Sequence, residues 1–284
     1  MRHNEFHFEG MNGISLFSQY WLPEVPPRAV LAIVHGVGEH CGRYMNIVYQ
    51  MVSNQYGVYG YDLRGHGNSP GQRGHIDSWL EYRTDLLNFM KMIKVQQADC
   101  PIFLLGHSMG ALITLDFLLS EDEKLAGAII SGVPIDPVGV AKPFLVALAR
   151  ILSRIYPRFA IDLDLDLDAI SRIPSVVKAY KEDPLVQSKV SARWGTESLS
   201  TLKSVKMRGE NINIPILMIH GEADRINSAE GAKIFFDQIQ SHDKEFMGYP
   251  GGYHELHSDL DSEKMISDLL VWINRHIENQ SLPA

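Results

Sequence analysis

The feature that most constrains the fold is the alternation of short apolar runs with longer segments of helical periodicity. Several short runs, such as Ala29–His35 and Ile102–Gly106, carry apolar residues at consecutive positions rather than at every second one. Consecutive apolar residues indicate a strand buried on both faces, as in a parallel sheet covered by helices. We therefore predict an α/β fold with a mostly parallel central sheet flanked by helices.

The same pattern gives the predicted elements. The strand candidates are Ile14–Tyr20, Ala29–His35, Gly57–Asp62, Ile102–Gly106, Ala126–Ser131, Ile214–His220 and Lys244–Tyr249. The helix candidates are Tyr44–Gln55, Leu80–Lys94, Ala111–Leu119, Ala229–Gln240 and Lys264–Ile277.

One segment, residues 134–206, interrupts this alternation because it contains no obvious buried strand. We predict a single domain over residues 1–284, with this segment as a helical cap insertion over the sheet edge between two halves of the core. Aspartate and leucine alternate from Asp162 to Asp168, but the glycine and terminal glutamate of a calcium loop are missing. We interpret that stretch as a short extended segment with one solvated face.

A candidate nucleophile lies in the sequence Gly-His-Ser-Met-Gly at residues 106–110. A buried strand candidate precedes it, and a helix candidate follows at once. On so sharp a strand-to-helix turn, a serine is held clear above the sheet, and glycines are needed where a Cβ would collide with neighbouring backbone. Ser108 is the predicted nucleophile.

A serine hydroxyl needs a neighbouring base, and in this kind of fold the acid and the histidine follow in later loops. Asp224 comes a short turn after the strand candidate Ile214–His220, and we predict it as the acid, with Glu222 as the alternative. His254 follows the glycine-rich turn after the last strand candidate, and we predict it as the base.

His257 is the alternative base, although we expect it a turn further along, in or before the last helix. The two histidines also suggest a metal site. The zinc motif needs them four residues apart on a helix, whereas His254 and His257 are three apart and follow glycines. We predict neither a metal nor an organic cofactor.

The strand candidate Ala29–His35 runs into a His-Gly turn, which can supply one backbone N–H of an oxyanion hole. The residue after the nucleophile supplies the other. We predict that the backbone N–H groups of Val37 and Met109 are the two donors.

Composition excludes several classes of protein. There are 26 Lys and Arg residues against 34 Asp and Glu, a formal net charge of −8, so nucleic acid is not an expected partner. The N-terminus has no apolar core of signal-peptide length, and no apolar run approaches the ~20 residues that cross a bilayer. With only two cysteines, Cys41 and Cys100, these features predict a cytoplasmic protein.

Three motifs together resemble the α/β-hydrolase family, in its branch of monoacylglycerol lipases, lysophospholipases and serine aminopeptidase-like hydrolases. They are His-Gly-Val-Gly-Glu-His-Cys-Gly-Arg-Tyr at 35–44, Asp-Leu-Arg-Gly-His-Gly-Asn-Ser at 62–69, and the serine motif at 106–110. Asp-Pro-Leu at 183–185 resembles a short sequence found in the cap of that family. Cys41 and Ala111 depart from the family pattern, where serine and a second glycine are usual.

The resemblance implies the same catalytic residues, Ser108, Asp224 and His254, and the same donors, Val37 and Met109. It implies a serine esterase that cleaves carboxylic esters of single-chain lipids, and we expect monoacylglycerol to be converted to fatty acid and glycerol through an acyl-enzyme. The alternatives are a lysophospholipase, a short-chain carboxylesterase, an aminopeptidase, or a non-catalytic receptor for a lipophilic ligand. Acidic residues at 164, 166 and 168 keep the aminopeptidase open, since they could hold a free amine.

The helix-like run from Phe144 to Tyr156 is apolar around most of its circumference, and Arg150, Arg154 and Arg158 share one stripe. We favour a cap helix packed on the core, since most apolar stripes are core. In the alternative, the run lines an acyl-chain tunnel and makes transient contact with a membrane or micelle surface.

Overall fold

A computed structural model of the chain describes residues 1–98, 100–138 and 143–280. In chain order, its strands β1 to β10 are Arg2–Glu9, Ser15–Leu22, Val30–Val34, Gly57–Tyr61, Ile102–His107, Gly127–Ser131, Ala160–Asp162, Lys189–Ser191, Ile216–Gly221 and Lys244–Tyr249. Its α-helices α1 to α8 are Met45–Ser53, Leu80–Gln96, Met109–Leu118, Pro143–Ile155, Pro174–Glu182, Ala192–Arg208, Ala229–Gln238 and Ser262–Gln280.

The strands of the main sheet follow the order β1-β2-β4-β3-β5-β6-β9-β10 across the described chain. β1 pairs with β2, and β2 with β4, in antiparallel register, whereas all pairs from β4 to β10 are parallel. The α/β fold with a mostly parallel sheet is therefore confirmed. In such a sheet the carboxyl ends of the parallel strands lie at one edge, which is where ligands usually bind.

Burial on both faces, predicted from consecutive apolar residues, is evident in β3. Val30, Ala32 and Val34 belong to the hydrophobic core on one face of the sheet. Leu31 and Ile33 belong to the core on the other face, and all five residues are buried. Successive side chains of a strand point to opposite faces, so a run without polar residues fills two cores at once.

The strand β1 is absent from the sequence prediction. It pairs along its whole length with β2 at the edge of the sheet, and most of its side chains are exposed. Phe6 and Phe8 alternate with polar residues and pack against the core, so only one face is apolar. This short alternation is a weaker signal than the continuous apolar runs of the central strands.

Residues 134–206, here called the insertion, follow β6 and precede β9, and the rest of the chain is called the body. The insertion contains α4, α5 and most of α6, and α6 packs against α4 and against α3 of the body. The structure also shows a short antiparallel ribbon of β7 and β8 that the sequence did not predict. β7 is exposed, and β8 buries only Val190 and Ser191. The limits of the insertion stay a prediction.

The helix α4 differs from the favoured interpretation of a helix packed on the core. Val146 and Leu152 line a cavity, whereas Ile151 and Ile155 on other sides are 56% and 70% exposed. Across the described residues, no helix is both long and apolar enough to cross a membrane.

Candidate active site

Ser108 occupies the turn between β5 and α3 and has a strained backbone. Its φ of 52° and ψ of −119° are uncommon for a residue with a side chain. The two flanking glycines are required by close backbone contacts: a Cβ at Gly106 would lie 2.4 Å from Gly110 O, and one at Gly110 would lie 2.0 Å from Val34 O. The helix α3 begins directly after Ser108, two residues earlier than predicted.

Asp224 and His254 meet in the loops after β9 and β10. His254 Nδ1 lies 2.7 Å from Asp224 Oδ2. Asp224 Oδ1 accepts hydrogen bonds from the backbone N–H groups of Ile226 at 2.8 Å and Asn227 at 3.0 Å. Because its other oxygen is held by its own loop, the carboxylate is fixed in place to orient the imidazole.

The electrostatics of this pair favour an ionised carboxylate and a basic imidazole. Burial disfavours the charge of Asp224, but the adjacent His254 and the hydrogen bonds from His220 and His254 lower the pKa of Asp224 well below its ordinary value. Burial also opposes protonation of His254, but the Asp224 carboxylate outweighs it and raises the pKa of His254. Histidine with a raised pKa is a stronger base than free imidazole.

The alternative acid and base lie elsewhere. Glu222 is exposed, whereas the Asp224 side chain is fully buried against His254. His257 stacks on the ring of Tyr44 at a centroid distance of 4.6 Å and is not among the described residues that line the cavity. The structure therefore brings Asp224 and His254 together and leaves out the two alternatives.

A cavity of about 680 Å³ lies between the body and the insertion. Ser108, His254, Val37 and Met109 all line it, so four of the five predicted site residues face one space, and Asp224 lies behind His254. The insertion supplies much of the apolar lining. Its leucines in the lining are Leu148, Leu152, Leu163, Leu165, Leu199 and Leu202.

The alternating stretch Asp162–Asp168 contributes to this lining. Its four aspartates are exposed and its three leucines are half-buried, in agreement with one solvated face. Asp166 is paired with Arg225 of the body at 3.1 Å, and Asp168 with Lys181 at 2.8 Å.

The loop that carries Val37 is held by Glu39. Glu39 Oε1 accepts a hydrogen bond from the backbone N–H of Gly36 at 2.6 Å and another from the hydroxyl of Tyr44 at 2.8 Å. A Cβ at Gly36 would lie 3.2 Å from Ser108 Cβ, so this loop passes directly beside the serine. Met109 is the first residue of α3, and its N–H therefore has no acceptor within the helix. The positions of Val37 and Met109 are therefore compatible with the predicted backbone donors of an oxyanion hole.

A buried ionic cluster beside the site was missed by the sequence reasoning. Arg43 binds Glu255 through two hydrogen bonds of 2.7 and 2.6 Å, and it binds Glu39 at 2.7 Å. Its guanidinium also lies 4.4 Å from the ring centroid of Tyr180 in the insertion. Glu39 and Arg43 belong to the motif at 35–44, so the sequence pointed to these two residues but indicated no role for them. Glu255 follows His254 directly, but nothing in its local sequence marks a contact 212 residues away.

No group of three or more His, Cys, Asp and Glu side chains is arranged to hold a metal ion within the parts of the chain that the structure describes. His254 uses Nδ1 for Asp224. This contact with a carboxylate is the one expected of the predicted base.

A family model described as serine aminopeptidase, S33, matches residues 25–261. The chain belongs to this family. It is 31% identical to the monoacylglycerol lipase of Mycolicibacterium smegmatis over 96% of this chain and 98% of that protein. It is 30% identical to the monoglyceride lipase of Mus musculus over 95% of this chain and 90% of that protein.

Among solved structures of this hydrolase fold, the crystal structure of Paleococcus ferrophilus monoacylglycerol lipase is similar, with a TM-score of 0.84 and 32% sequence identity. The match covers 92% of this chain and 99% of that one. The residues matched by the family model, 25–261, include the insertion, so the family likeness extends beyond the sheet. The α/β-hydrolase resemblance found in the three sequence motifs is confirmed.

Proposed function

We propose that the chain is a serine hydrolase that cleaves monoacylglycerol to fatty acid and glycerol through an acyl-enzyme on Ser108. The observation that carries the proposal is the 2.7 Å contact of His254 with Asp224 at the edge of the cavity that Ser108 also lines. The two monoacylglycerol-hydrolysing relatives and the similar solved structure support this choice of substrate.

In the first half of the reaction, Ser108 Oγ attacks the ester carbonyl carbon. Because Nδ1 of His254 donates to Asp224, Nε2 is free to take the serine proton. The backbone N–H groups of Val37 and Met109 stabilise the negative charge on the carbonyl oxygen. The ester C–O bond then breaks, His254 returns the proton to the departing glycerol oxygen, and the acyl group remains on Ser108.

In the second half, water replaces glycerol. His254 takes a proton from the water, and the resulting hydroxide attacks the acyl carbonyl carbon. The bond from that carbon to Ser108 Oγ breaks, His254 protonates the serine, and the fatty acid leaves. The two half-reactions together consume one water per ester and need no cofactor.

The cavity suits a substrate with one acyl chain. Leucines of the insertion line much of its wall, and each buried CH₂ of a chain contributes about 0.8 kcal/mol of apolar transfer energy. Glu39 and Glu255 supply polar lining, and Glu39 lies beside the loop that approaches Ser108. A long-chain ester with a hydroxylated head group therefore matches both parts of the wall.

The alternatives differ in their support. The pairing of Asp166 with Arg225 and of Asp168 with Lys181 weakens a site for a free amine, and with it the aminopeptidase. Lysophospholipase and short-chain carboxylesterase activity, and a receptor function, stay predictions that a substrate panel separates.

The insertion is also the proposed site of membrane or micelle contact. Among the described residues of the insertion, the large apolar side chains that are at least half exposed are Val138, Ile151, Ile155, Tyr156 and Phe159. Such a group at the surface is typical of contact with another apolar phase. The chain's location in the cytoplasm stays a prediction.

The deciding experiment is covalent labelling with a fluorophosphonate, followed by mass spectrometry of the peptide that contains residue 108. We expect one adduct on Ser108 and its absence in Ser108→Ala, with hydrolysis of long-chain monoacylglycerol reduced on the order of 10⁴-fold or more in the variant. Hydrolysis that survives Ser108→Ala would overturn the proposal. Circular dichroism checks that the variant is folded. Lysophosphatidylcholine, short-chain esters and aminoacyl amides form the comparison panel.

A further inference from the structure

The loop of the predicted base is held mainly by the insertion. The backbone N–H of His254 donates to Ala169 O at 3.3 Å, and that of Glu255 donates to Ile170 O at 2.8 Å. Both acceptors belong to buried residues of the insertion. A backbone segment 85 positions earlier therefore runs along the base loop and fixes two successive peptide groups of it.

Asp259 closes this arrangement from the other side. Its side chain is fully buried, and Oδ1 accepts the backbone N–H of Arg172 at 2.8 Å. Oδ2 accepts both Arg172 Nε at 2.8 Å and the backbone N–H of Tyr253 at 2.9 Å. Tyr253 directly precedes His254. One carboxylate thus joins the peptide before the base to the insertion.

Two further contacts join residues 171–172 of the insertion to the segment after the base loop. Arg172 Nη2 binds Asp261 at 2.6 Å, and Ser171 Oγ donates to Ser258 O at 2.9 Å. Burial disfavours an ionised Asp259, but the backbone N–H of Tyr253 and the donors of Arg172 outweigh it and lower the pKa of Asp259. A buried carboxylate supplied with donors in this way resists displacement, because its removal would leave those donors unpaired.

We propose that Asp259 and Arg172 are positioning residues that hold the loop of His254 against residues 169–172, so that the insertion sets the placement of the base. The inference rests on the proposed role of His254 in ester hydrolysis. Misplacement of a base by about 1 Å can cost on the order of 100-fold in rate, so a contact that never touches the substrate can control the reaction.

The test uses Asp259→Asn, which keeps the size of the side chain but presents an amide N–H₂ to one set of donors. On a water-soluble short-chain ester, we expect kcat to fall about 10- to 100-fold and KM to change by less than about threefold. Labelling of Ser108 by a fluorophosphonate should slow by a similar factor, because it needs the same base.

Variants at the partner residue keep the test decisive if Asp259→Asn does not fold. Arg172 is partly exposed, and Arg172→Ala should reduce kcat in the same way, whereas Arg172→Lys retains the charge and should recover part of the loss. The matched control is Glu197→Gln. Glu197 also joins the insertion to the body, through the backbone N–H of Trp79 at 3.0 Å, and its variant should keep the kcat of the unmodified protein.

The outcomes separate this inference from the proposed function. Unchanged kcat and labelling rate in folded Asp259→Asn or Arg172→Ala overturn the positioning role, even if the melting temperature falls. A loss of kcat with an unchanged labelling rate overturns it too, since the base would still be in place. Hydrolysis that persists in Ser108→Ala instead overturns the proposed function itself.

Discussion

The body and the insertion form the two sides of one cavity, but they are built by different rules. In the body, β3 is buried at every position, and Ser108 is fixed by a backbone turn that only glycine neighbours permit. In the insertion, Ile155 is 70% exposed, and the leucines of the cavity wall are held by a few helices and a two-stranded ribbon. The difference teaches that the turn of Ser108 depends on the densely packed sheet, whereas an apolar cavity wall can be built from a few elements with exposed outer faces.

The two regions are nevertheless joined at both loops that carry predicted site residues. Beside the loop of Val37, the backbone N–H of Gln187 donates to Gly38 O at 2.8 Å, and His40 Nε2 lies 3.0 Å from Asp183 Oδ2. Beside the base loop, Asp259 meets Arg172. The insertion therefore contacts both loops of the proposed active site as well as lining the cavity.

The largest expected effect in this comparison is on the length of the acyl chain. Leu152→Ala removes apolar wall from the insertion, and we expect kcat/KM for long-chain monoacylglycerol to fall about 10- to 100-fold, since loss of a buried leucine contact costs roughly 1.5–3 kcal/mol. For a short-chain ester the change should stay below about threefold.

Leu80→Ala in α2 is the control, because Leu80 is exposed on the body outside the cavity wall. Equal losses on long and short chains would contradict the assignment of chain binding to the insertion. Leu152 would then act on the reaction step itself rather than on binding of the acyl chain.

A smaller effect is expected from pH, and it originates in the body. His254 must be neutral to take a proton. Its pKa is raised above the ordinary histidine value of 6.5, so as the pH falls kcat/KM should begin to decline at a pH above 6.5. Below that pKa, the rate should fall about tenfold per pH unit. Because the same base serves every substrate, the low-pH sides (acid limbs) of the pH–rate profiles should coincide for long-chain and short-chain esters.

The stability of the fold should also depend on pH, and carboxylates and histidines contribute to it with opposite sign. The pKa values of Glu39 and Asp224 are lowered, so their contribution to stability is complete above the ordinary values of 4.5 and 3.8 and is lost only as the pH falls through the lower folded values. The buried imidazoles of His35, His66, His107 and His257 act in the opposite direction, because burial lowers their pKa values and the unfolded chain takes up protons first as the pH falls below 6.5. Thermal unfolding followed by circular dichroism should therefore show stability that decreases from about pH 7 to pH 5. Acid limbs that differ between substrates would mean that a group of the insertion also titrates.

The smallest expected effect concerns contact with a lipid surface. The double substitution Ile155→Ser and Tyr156→Ser removes exposed apolar area from the insertion, and we expect binding to phosphatidylcholine vesicles to weaken about three- to tenfold in a sedimentation assay. Hydrolysis of a soluble short-chain ester should be unchanged. Val271→Ser, at a position 64% exposed on α8 of the body, should leave vesicle binding as it is. Equal weakening by both variants would remove the distinction between the two surfaces.

The sequence predicted those parts of the structure that depend on neighbours along the chain. The turn at Ser108 follows from residues 106–110, and the burial of β3 follows from its own apolar run. The selection of Asp224 and His254 needed only the rule that such residues follow successive strands of a parallel sheet. Their contact in the structure agrees with that choice, and their catalytic roles stay proposals.

Contacts between distant segments could not be predicted in this way. Glu255 meets Arg43 across 212 residues, and Arg172 meets Asp259 across 87, and neither pair has a spacing that signals contact. The ribbon of β7 and β8 was missed for a similar reason, since three-residue strands are too short to show periodicity. The edge strand β1 presents one apolar face, and its pairing with β2 is tertiary information.

The hydrogen bonds between residues 169–172 and the base loop limit how freely the insertion can be exchanged among relatives. A chimera that replaces residues 134–206 alone would bring a new partner to Asp259 and new carbonyl groups to His254 and Glu255. The insertion and the loop at 253–261 should therefore be exchanged together, even though β9, α7 and β10 separate them along the chain. Transplants intended to change chain-length selectivity should carry both pieces.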